Sequence, residues 1–376
     1  MSSEVAWPAM SLPITPPFSP MESKVVAALP HGEGWQYEPK WDGLRCVAFR
    51  DHDQVALQSK SGQPLTGYFP ELVRALRSIR ANRFAVDGEI VVPSGSTYTP
   101  SGVPETRYSF DDLLQRLHPA ESQIEKLARA TPASFLLFDL LVDARGRALL
   151  DRALAERRLA LEAFARGHLV PNKRIRISPA TTEQWVVDRW QTEQRGRGVD
   201  GIMAKRLDET YRSGERAMQK MKWMRTADCV VGGFRYSGGG RLVGSLLLGA
   251  YDHEGLLQYL GFCSSMREPD RPALTKELEA LADGLGFTGR SPGGPSRWQT
   301  GRSTQRVALD PKLVVEVQYD HFSQGTPLRG SARRGRFRHR TKLERWRPDK
   351  APKECTLDQL ENAPGRRLRG RSPQVA

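Results

Sequence analysis

The sequence predicts an α+β domain of strands and helices, followed by a small β-barrel domain. The length of 376 residues is about twice that of a usual domain. Strand-like apolar runs alternate with helix-like segments from about residue 34 to about residue 225. Beyond residue 226, short β-like runs separated by glycines follow one another, a pattern typical of a small barrel.

The first domain has clear element signals. Strands are predicted where runs are rich in Val, Ile, Leu and Phe, at 84–92, 133–142 and 201–205. Helices are predicted where a capping residue or proline precedes apolar residues at helical spacing: from Pro70, from Ser109, from Asp151 to about Arg166, and from Thr182 to near Gly196.

The second domain is predicted to be mostly β, with one inserted helix over 271–285. Its β-like runs lie at 230–234, 246–251, 256–260 and 313–317. At the other end of the chain, residues 1–19 are rich in proline and are expected to form an extended lead-in.

Composition narrows the class of protein. The net charge of +14 favours a polyanionic partner, and no apolar run is long enough to span a membrane. The four cysteines, Cys46, Cys229, Cys263 and Cys355, show no spacing typical of a zinc site or a disulfide framework. A cytoplasmic protein is therefore expected.

The segment Glu38–Arg45 contains the pattern K-x-D-G-x-R, starting at Lys40. Taken alone, an Asp-Gly surface turn with solvated charges explains this segment about as well as a reactive lysine does. A lysine that attacks phosphorus must be neutral, although its ordinary pKa is ~10.4. Lys220 and Lys222 are expected to lower that pKa by their positive charge.

Further motifs follow the first one in order along the chain. They are Ser59-Lys60-Ser61-Gly62, Asp87-Gly88-Glu89-Ile90, Phe138-Asp139-Leu140-Leu141, Asp200-Gly201-Ile202-Met203-Ala204-Lys205, Lys220-Met221-Lys222 and Arg345-Trp346-Arg347-Pro348-Asp349-Lys350. This ordered set resembles the covalent nucleotidyltransferases, and above all the ATP-dependent DNA ligases of bacteria of the LigC and LigD types. The resemblance covers about residues 20–350.

The resemblance implies a nucleotidyltransferase (adenylation) domain over 20–225, an OB-fold domain over 226–350 and a basic tail over 351–376. It also implies the reaction. Lys40 would form a lysyl–AMP and release pyrophosphate, the AMP would pass to a 5′-phosphate at a nick in duplex DNA, and a 3′-hydroxyl would then displace it. Charge grows on phosphate oxygens in each step, so ATP would be used with Mg²⁺ or Mn²⁺.

The same resemblance implies how the nucleoside is held. Glu38 would accept a hydrogen bond from the adenine amino group, and Phe138 would stack on the base. Arg45 would contact the ribose and phosphate. Glu89 would contact the ribose or a metal. Lys60 occupies a position where an arginine is more usual; the lysine keeps the positive charge but cannot donate two hydrogen bonds in the bidentate geometry of a guanidinium.

Further residues would serve the phosphates and the metal. The phosphate-binding cations would be Arg216, Lys220 and Lys222. The metal ligands would be Glu89 and Asp200, where Asp200 replaces the usual Glu and shortens the reach by ~1.5 Å. A last motif, which we call the closing motif, would close over the triphosphate with Arg347, Asp349 and Lys350.

Other interpretations stay open at this point. An mRNA-capping guanylyltransferase or an RNA ligase of the same superfamily has related motifs, and a non-catalytic OB-fold DNA-binding protein would share the basic charge. The run from Arg329 to Arg347 has nine basic residues and one acid, and it favours DNA contact through phosphates. We expect a monomer that acts in DNA repair; the sequence does not identify a protein partner.

Overall fold

The computed structural model describes residues 7–98, 104–118, 120–169, 173–194, 197–237, 240–292, 306–323, 335–339 and 341–361. It divides into two compact units, Met1–Lys222 and Trp223–Ala376. No helix in the described part of the chain is long and apolar enough to cross a membrane.

The first unit contains two main sheets with helices. Its strands are β1 (Ser23–Val25), β2 (Trp35–Trp41), β3 (Leu44–Asp51), β4 (Gln54–Ser59), β5 (Arg83–Val91), β6 (Pro93–Tyr98), β7 (Pro104–Tyr108), β8 (Ser134–Val142), β9 (Ile175–Ile177), β10 (Val199–Arg206) and β11 (Met218–Lys222). Its helices are α1 (Pro70–Arg77), α2 (Phe110–Arg116), α3 (Glu121–Ala130), α4 (Leu154–Phe164) and α5 (Gln184–Glu193).

One sheet has the strand order β1-β11-β10-β2, and the other has the order β4-β3-β5-β8-β9. Most neighbours are antiparallel, but β1–β11 and β8–β9 are parallel. The largest core cluster fills the space between the five-stranded sheet and the helices, with Phe135, Leu137 and Phe164 fully or almost fully buried. This core fixes β3, β5 and β8, which carry several of the motif residues.

The predicted strands and helices of this unit are present, with small shifts at their ends. Ser109 caps α2 as predicted, because its Oγ accepts a hydrogen bond from the backbone N–H of Asp112 at 3.1 Å. The helix predicted after Asp151 begins only at Leu154, and it continues beyond Phe164 as one π-helical turn to Leu169. Helix α3 was not predicted, because Ala120 precedes it and makes no side-chain cap.

The N-terminal segment, residues 7–19, has no helix or strand but belongs to the core of the first unit. Leu12 is buried in a cluster with Phe49, and Phe18 packs against the same cluster. The backbone N–H of Phe18 donates to Gln58 Oε1 at 2.7 Å, and Gln58 Nε2 donates back to the Phe18 carbonyl at 2.6 Å. The proline-rich segment is therefore an integral part of this unit.

The second unit is mostly β. Its strands are β12 (Arg225–Tyr236), β13 (Val243–Tyr251), β14 (Leu257–Cys263), β15 (Val307–Ala308), β16 (Val314–Tyr319), β17 (Phe322–Ser323), β18 (Arg336–Phe337) and β19 (Lys342–Trp346), and its helices are α6 (Arg271–Glu279) and α7 (Asp358–Glu361). The main sheet has the antiparallel order β14-β13-β12-β16-β19, with β15 also on β12.

Register shifts in the β12–β13, β13–β14 and β16–β19 pairs mark irregularities that let the sheet curve around one core, which contains Phe234, Leu246 and Val317. This architecture fits an OB-fold and confirms the predicted fold class. Helix α6 is shorter than predicted: it ends at Glu279, and Asp283 follows with a φ of 63°, which ordinary helices do not contain.

Candidate active site

The candidate active site of the first unit is built on the pairing of β2 with β10. Lys40 lies opposite Gly201, and Glu38 lies opposite Met203. Alternate residues of a strand share one face, so Gln36, Glu38 and Lys40 point to the same side of β2. Consistent with this, Gln36 Nε2 donates to Glu38 Oε1 at 2.7 Å.

Asp200 lies at an irregularity in β10, where the register with β2 shifts between Val199 and Gly201. Such a bulge re-aims a side chain, and Asp200 meets Lys40 directly. Lys40 Nζ donates to both carboxylate oxygens, at 2.7 and 2.8 Å. The aspartate side chain is therefore long enough to reach the lysine, although the resemblance implies a glutamate at this position.

The charge state of Lys40 differs from the sequence expectation. Burial favours the neutral amine, but the carboxylates of Asp200, Glu89 and Asp42 together outweigh burial and raise the pKa of Lys40 above its ordinary value. Burial and the neighbouring Lys40 and Lys222 ammoniums instead lower the pKa of Lys220. The expected net lowering of the pKa of Lys40 is therefore wrong, because carboxylates are the charged groups that act most strongly on it.

Glu89 is the third acid-base group near Lys40. Burial raises the pKa of Glu89 to about 8, although the Lys40 and Arg45 cations act in the opposite direction. Gly43 makes this close packing possible, because a Cβ there would lie 2.7 Å from Glu89 Cγ and 2.4 Å from the Ile90 carbonyl oxygen. The Asp-Gly of the first motif therefore has a steric role against β5.

Arg45 is held rigidly on β3. Its Nε and Nη2 donate to the two carboxylate oxygens of the fully buried Asp87, at 3.1 and 2.7 Å. The Tyr211 hydroxyl donates to the same carboxylate at 2.6 Å. The Arg45 guanidinium lies 5.5 Å from the centre of the Phe138 ring, so the fold brings these two predicted site residues together.

Phe138 is the one residue of β8 that is partly exposed, whereas its eight strand neighbours are buried. Lys205 Nζ lies 4.5 Å from the ring centre and donates to both oxygens of Glu38, at 2.9 and 2.8 Å. Glu38 and Lys205 are 1% and 4% exposed. The proposed acceptor for adenine is thus part of a buried ion pair whose ammonium lies over the Phe138 ring.

Two further predicted cations share one acid. Lys60 Nζ lies 3.0 Å from Glu22 Oε2, and Arg216 Nε lies 3.8 Å from the same oxygen. The Lys60 pair and other nearby cations lower the pKa of Glu22. Both cations are more than half exposed, so the pair leaves them accessible to a ligand.

The closing motif lies in the second unit and forms its own network there. Arg347 contacts Asp349 through Nε and Nη2, both at 2.9 Å, and Asp228 through Nη1 at 2.8 Å. Lys350 Nζ donates to the other oxygen of Asp228 at 2.7 Å. The three predicted residues are therefore next to one another, around an aspartate that was not predicted.

Sequence reasoning missed four residues that hold the predicted ones: Glu22, Asp87, Lys205 and Asp228. Asp87 and Lys205 lie inside two of the ordered motifs, so their motif membership was a usable signal. Glu22 and Asp228 have no local signal. The predicted DNA-binding run from Arg329 to Arg347 is described only at 335–339 and 341–347, and its contact with DNA stays a prediction.

The acids of the first unit fit a magnesium-type site. Asp200 and Glu89 both interact electrostatically with Lys40. No cluster of three or more His, Cys, Asp or Glu side chains that could hold a metal occurs among the described residues. Mg²⁺ is commonly bound by one or two carboxylates together with substrate phosphates, so this donor set suits an ion that arrives with a nucleotide.

A partly buried lysine on a strand, two acids beside it and an OB-type second unit are the arrangement expected of the covalent nucleotidyltransferases. A family model described as the ATP dependent DNA ligase domain matches residues 19–222, and one described as the ATP dependent DNA ligase C terminal region matches residues 239–350. The chain belongs to the ATP-dependent DNA ligase family, and it is an enzyme.

The relatives match almost from end to end. The chain is 41% identical to DNA ligase C1 of Mycolicibacterium smegmatis over 94% of this chain and 96% of the relative. It is 40% identical to DNA ligase C of Mycobacterium tuberculosis over 94% and 96%. A solved structure named Pmar-Lig_PreS3 has a TM-score of 0.57 at 16% identity, covers 84% of this chain and 64% of its own, and supports the fold alone.

Proposed function

We propose that this enzyme seals nicks in duplex DNA during DNA repair, through a lysyl–AMP on Lys40 and an adenylated 5′-phosphate. The observation that supports this proposal most directly is the position of Lys40. It is partly buried on β2, its Nζ lies 2.7 Å from Asp200 Oδ1, and Glu89 is close by. A nucleophile for phosphorus needs this combination of a fixed amine and neighbouring acids. The roles given below to individual residues belong to the same proposal.

In the first step, the Lys40 Nζ lone pair attacks the α-phosphorus of ATP. The new P–N bond forms as the bond to pyrophosphate breaks, and Nζ loses a proton. In the second step an oxygen of the DNA 5′-phosphate attacks the same phosphorus, the P–N bond breaks and the lysine regains a proton. In the third step the 3′-hydroxyl attacks the 5′-phosphate, AMP leaves and the hydroxyl proton is lost.

The residues around Lys40 bind and orient the nucleotide. Phe138 offers one ring face to adenine, and Glu38 accepts from its amino group while still paired with Lys205. Arg45 is held by Asp87 in one orientation, so little entropy is lost when it contacts the ribose and phosphate.

The phosphate-binding cations Lys60, Arg216, Lys220 and Lys222 stabilise the charge that develops on the phosphate oxygens. Lys60 and Arg216 exchange part of their contact with Glu22 for the phosphates.

Asp200 and Glu89 would hold a divalent cation, Mg²⁺ or Mn²⁺, together with the phosphates. When bound, this ion would offset the Asp200 charge that raises the pKa of Lys40 and would polarise the α-phosphate. Arg347, Asp349 and Lys350 act on the triphosphate in the first step.

At the level of the whole chain, we propose an adenylation domain over 20–225, an OB-fold domain over 226–350 and a basic tail over 351–376. The tail residues from 362 onward lie outside the described part of the chain. The net charge of +14 supports a polyanionic substrate such as DNA. We propose that the enzyme acts as a monomer in the bacterial cytoplasm.

Covalent labelling tests the proposal. The protein is mixed with α-labelled ATP and Mg²⁺ or Mn²⁺, separated on a denaturing gel, and compared with Lys40→Ala. Label is expected with ATP and should be absent in Lys40→Ala. Lys126→Ala, an exposed lysine on α3, serves as the matched control and should label normally.

The same experiment distinguishes the alternatives. Label from α-labelled GTP but not ATP would replace the DNA ligase reaction with a capping reaction. Label from ATP followed by sealing of nicked RNA but not nicked DNA would indicate an RNA ligase. The absence of label under every condition, with a folded protein, would overturn the enzymatic proposal and leave a DNA-binding protein on this fold.

A further inference from the structure

We propose that Asp228 is a positioning residue that holds Arg347 and Lys350 of the closing motif in register for the ATP-consuming step. This inference rests on the proposed function of the closing motif, and it adds a residue that neither the motifs nor the comparisons assign. All of the contacts that carry it lie within the second unit.

The Arg347 guanidinium is held on two sides. Asp349 accepts from Nε and Nη2, both at 2.9 Å, and Asp228 Oδ1 accepts from Nη1 at 2.8 Å. The two carboxylates raise the pKa of Arg347, so the side chain stays charged. A planar guanidinium bound at both edges has few remaining orientations.

Lys350 depends on the same aspartate. Its Nζ donates to Asp228 Oδ2 at 2.7 Å, so one carboxylate binds one cation with each oxygen. The side chains of Asp228, Arg347 and Lys350 are 14%, 17% and 23% exposed. Since both cations are partly buried and share this carboxylate, its negative charge offsets part of their mutual repulsion.

The backbone of Asp228 is itself fixed. Asp228 pairs with Glu316 across β12 and β16, and its backbone N–H and carbonyl both form hydrogen bonds with the side chain of Gln359. Asp228 N–H donates to Gln359 Oε1, and Gln359 Nε2 donates to the Asp228 carbonyl, both at 2.9 Å. Ala227 and Cys229 face the main core, so the alternation of the strand directs Asp228 to the opposite side.

The closing motif is also tied to this sheet through its backbone. Arg347 N–H donates to the Val314 carbonyl at 2.9 Å, and Lys350 N–H donates to the Arg347 carbonyl at 3.2 Å, which closes a turn. The turn fixes the backbone positions of Arg347 and Lys350, and Asp228 fixes the positions of their guanidinium and ammonium groups. Without the carboxylate, two neighbouring cations would separate and lose their common direction.

A step-specific comparison tests the proposal. Asp228→Asn keeps the shape of the side chain but removes its charge and turns an N–H donor toward the cations; Asp228→Ala removes the group. For both, we expect single-turnover labelling by α-labelled ATP to slow by on the order of 10- to 100-fold, the range found when a group that orients a functional residue is lost. Asp228→Glu should recover part of the rate.

Sealing of a nicked duplex that already carries the 5′-adenylate should change by less than about twofold in the same variants, since no triphosphate takes part. Asp252→Asn is the matched control, because Asp252 is another largely buried acid of this unit that accepts several hydrogen bonds away from the closing motif. It should label and seal as the unmodified enzyme does. Circular dichroism verifies that each variant is folded.

Two results would overturn the inference: labelling that stays normal in folded Asp228→Ala, or sealing of the pre-adenylated nick that falls as far as labelling does. The second result would assign Asp228 a general structural role. Failure of the unmodified enzyme to label would instead contradict the proposed function, so the two failures are distinguishable.

Discussion

The buried pair of Glu38 with Lys205 leads to a quantitative prediction. Glu38→Ala would leave the Lys205 ammonium, 4% exposed, without the carboxylate that now accepts two hydrogen bonds from it at 2.8 and 2.9 Å. Gln36 would lose its acceptor as well. Breaking a buried pair from one side costs about 3–5 kcal/mol. The equilibrium constant for unfolding should therefore rise by on the order of 10² to 10⁴.

Urea unfolding followed by circular dichroism measures this cost. Lys205→Ala should lose a similar amount, since it leaves the Glu38 carboxylate buried. The double variant should lose clearly less than the sum of the two, with a coupling energy of about 1.5 kcal/mol or more. A loss below about 1 kcal/mol in Glu38→Ala, or costs that simply add, would show that the pair is not held in a dehydrated environment.

Three further predictions concern packing, thiols and metal. Gly43→Ala should lose about 1–3 kcal/mol and slow labelling, because the new Cβ would lie 2.4 Å from the Ile90 carbonyl oxygen; Gly67→Ala, which meets nothing within 4 Å, should not change thermal unfolding. At pH 8 the native protein should not react with a thiol reagent until denatured, and early reaction of any thiol would contradict the described burial. Burial raises the pKa of the Cys355 thiol to about 11 and those of two others well above the ordinary value. The buried thiols are Cys46, Cys229, Cys263 and Cys355. EDTA should abolish labelling yet leave the thermal midpoint unchanged, because the two carboxylates of Asp200 and Glu89 are expected to hold the ion only together with the nucleotide phosphates; a lower midpoint would indicate a resident metal.

The elements and motifs were predictable because their signals are local. The apolar run around Phe138 could be recognised from its composition, and Ser109 carried an ordinary capping signal. Helix α3 lacked such a signal at Ala120, and neither glycine nor proline marks the early end of α6, where Ala280 follows Glu279.

The partners of the site cations were not predictable, because they are distant in sequence. Lys40 meets Asp200 across 160 positions, and Arg347 meets Asp228 across 119. The same distance explains the wrong expectation for the pKa of Lys40. The sequence showed the two nearby lysines of one motif, but only the folded β2–β10 pairing shows that an acid is closer than either.

The packed N-terminal segment means that the limits of the family match differ from the limits of the folding unit. The ligase-domain match begins at residue 19, yet Leu12 is buried and Ser11 Oγ donates to Asp51 at 2.8 Å. Burial of one leucine alone is worth about 1.5–3 kcal/mol. A recombinant fragment that starts at residue 19 would therefore expose an apolar strip over β3, and the yield of soluble protein would depend on a segment that family alignment leaves out.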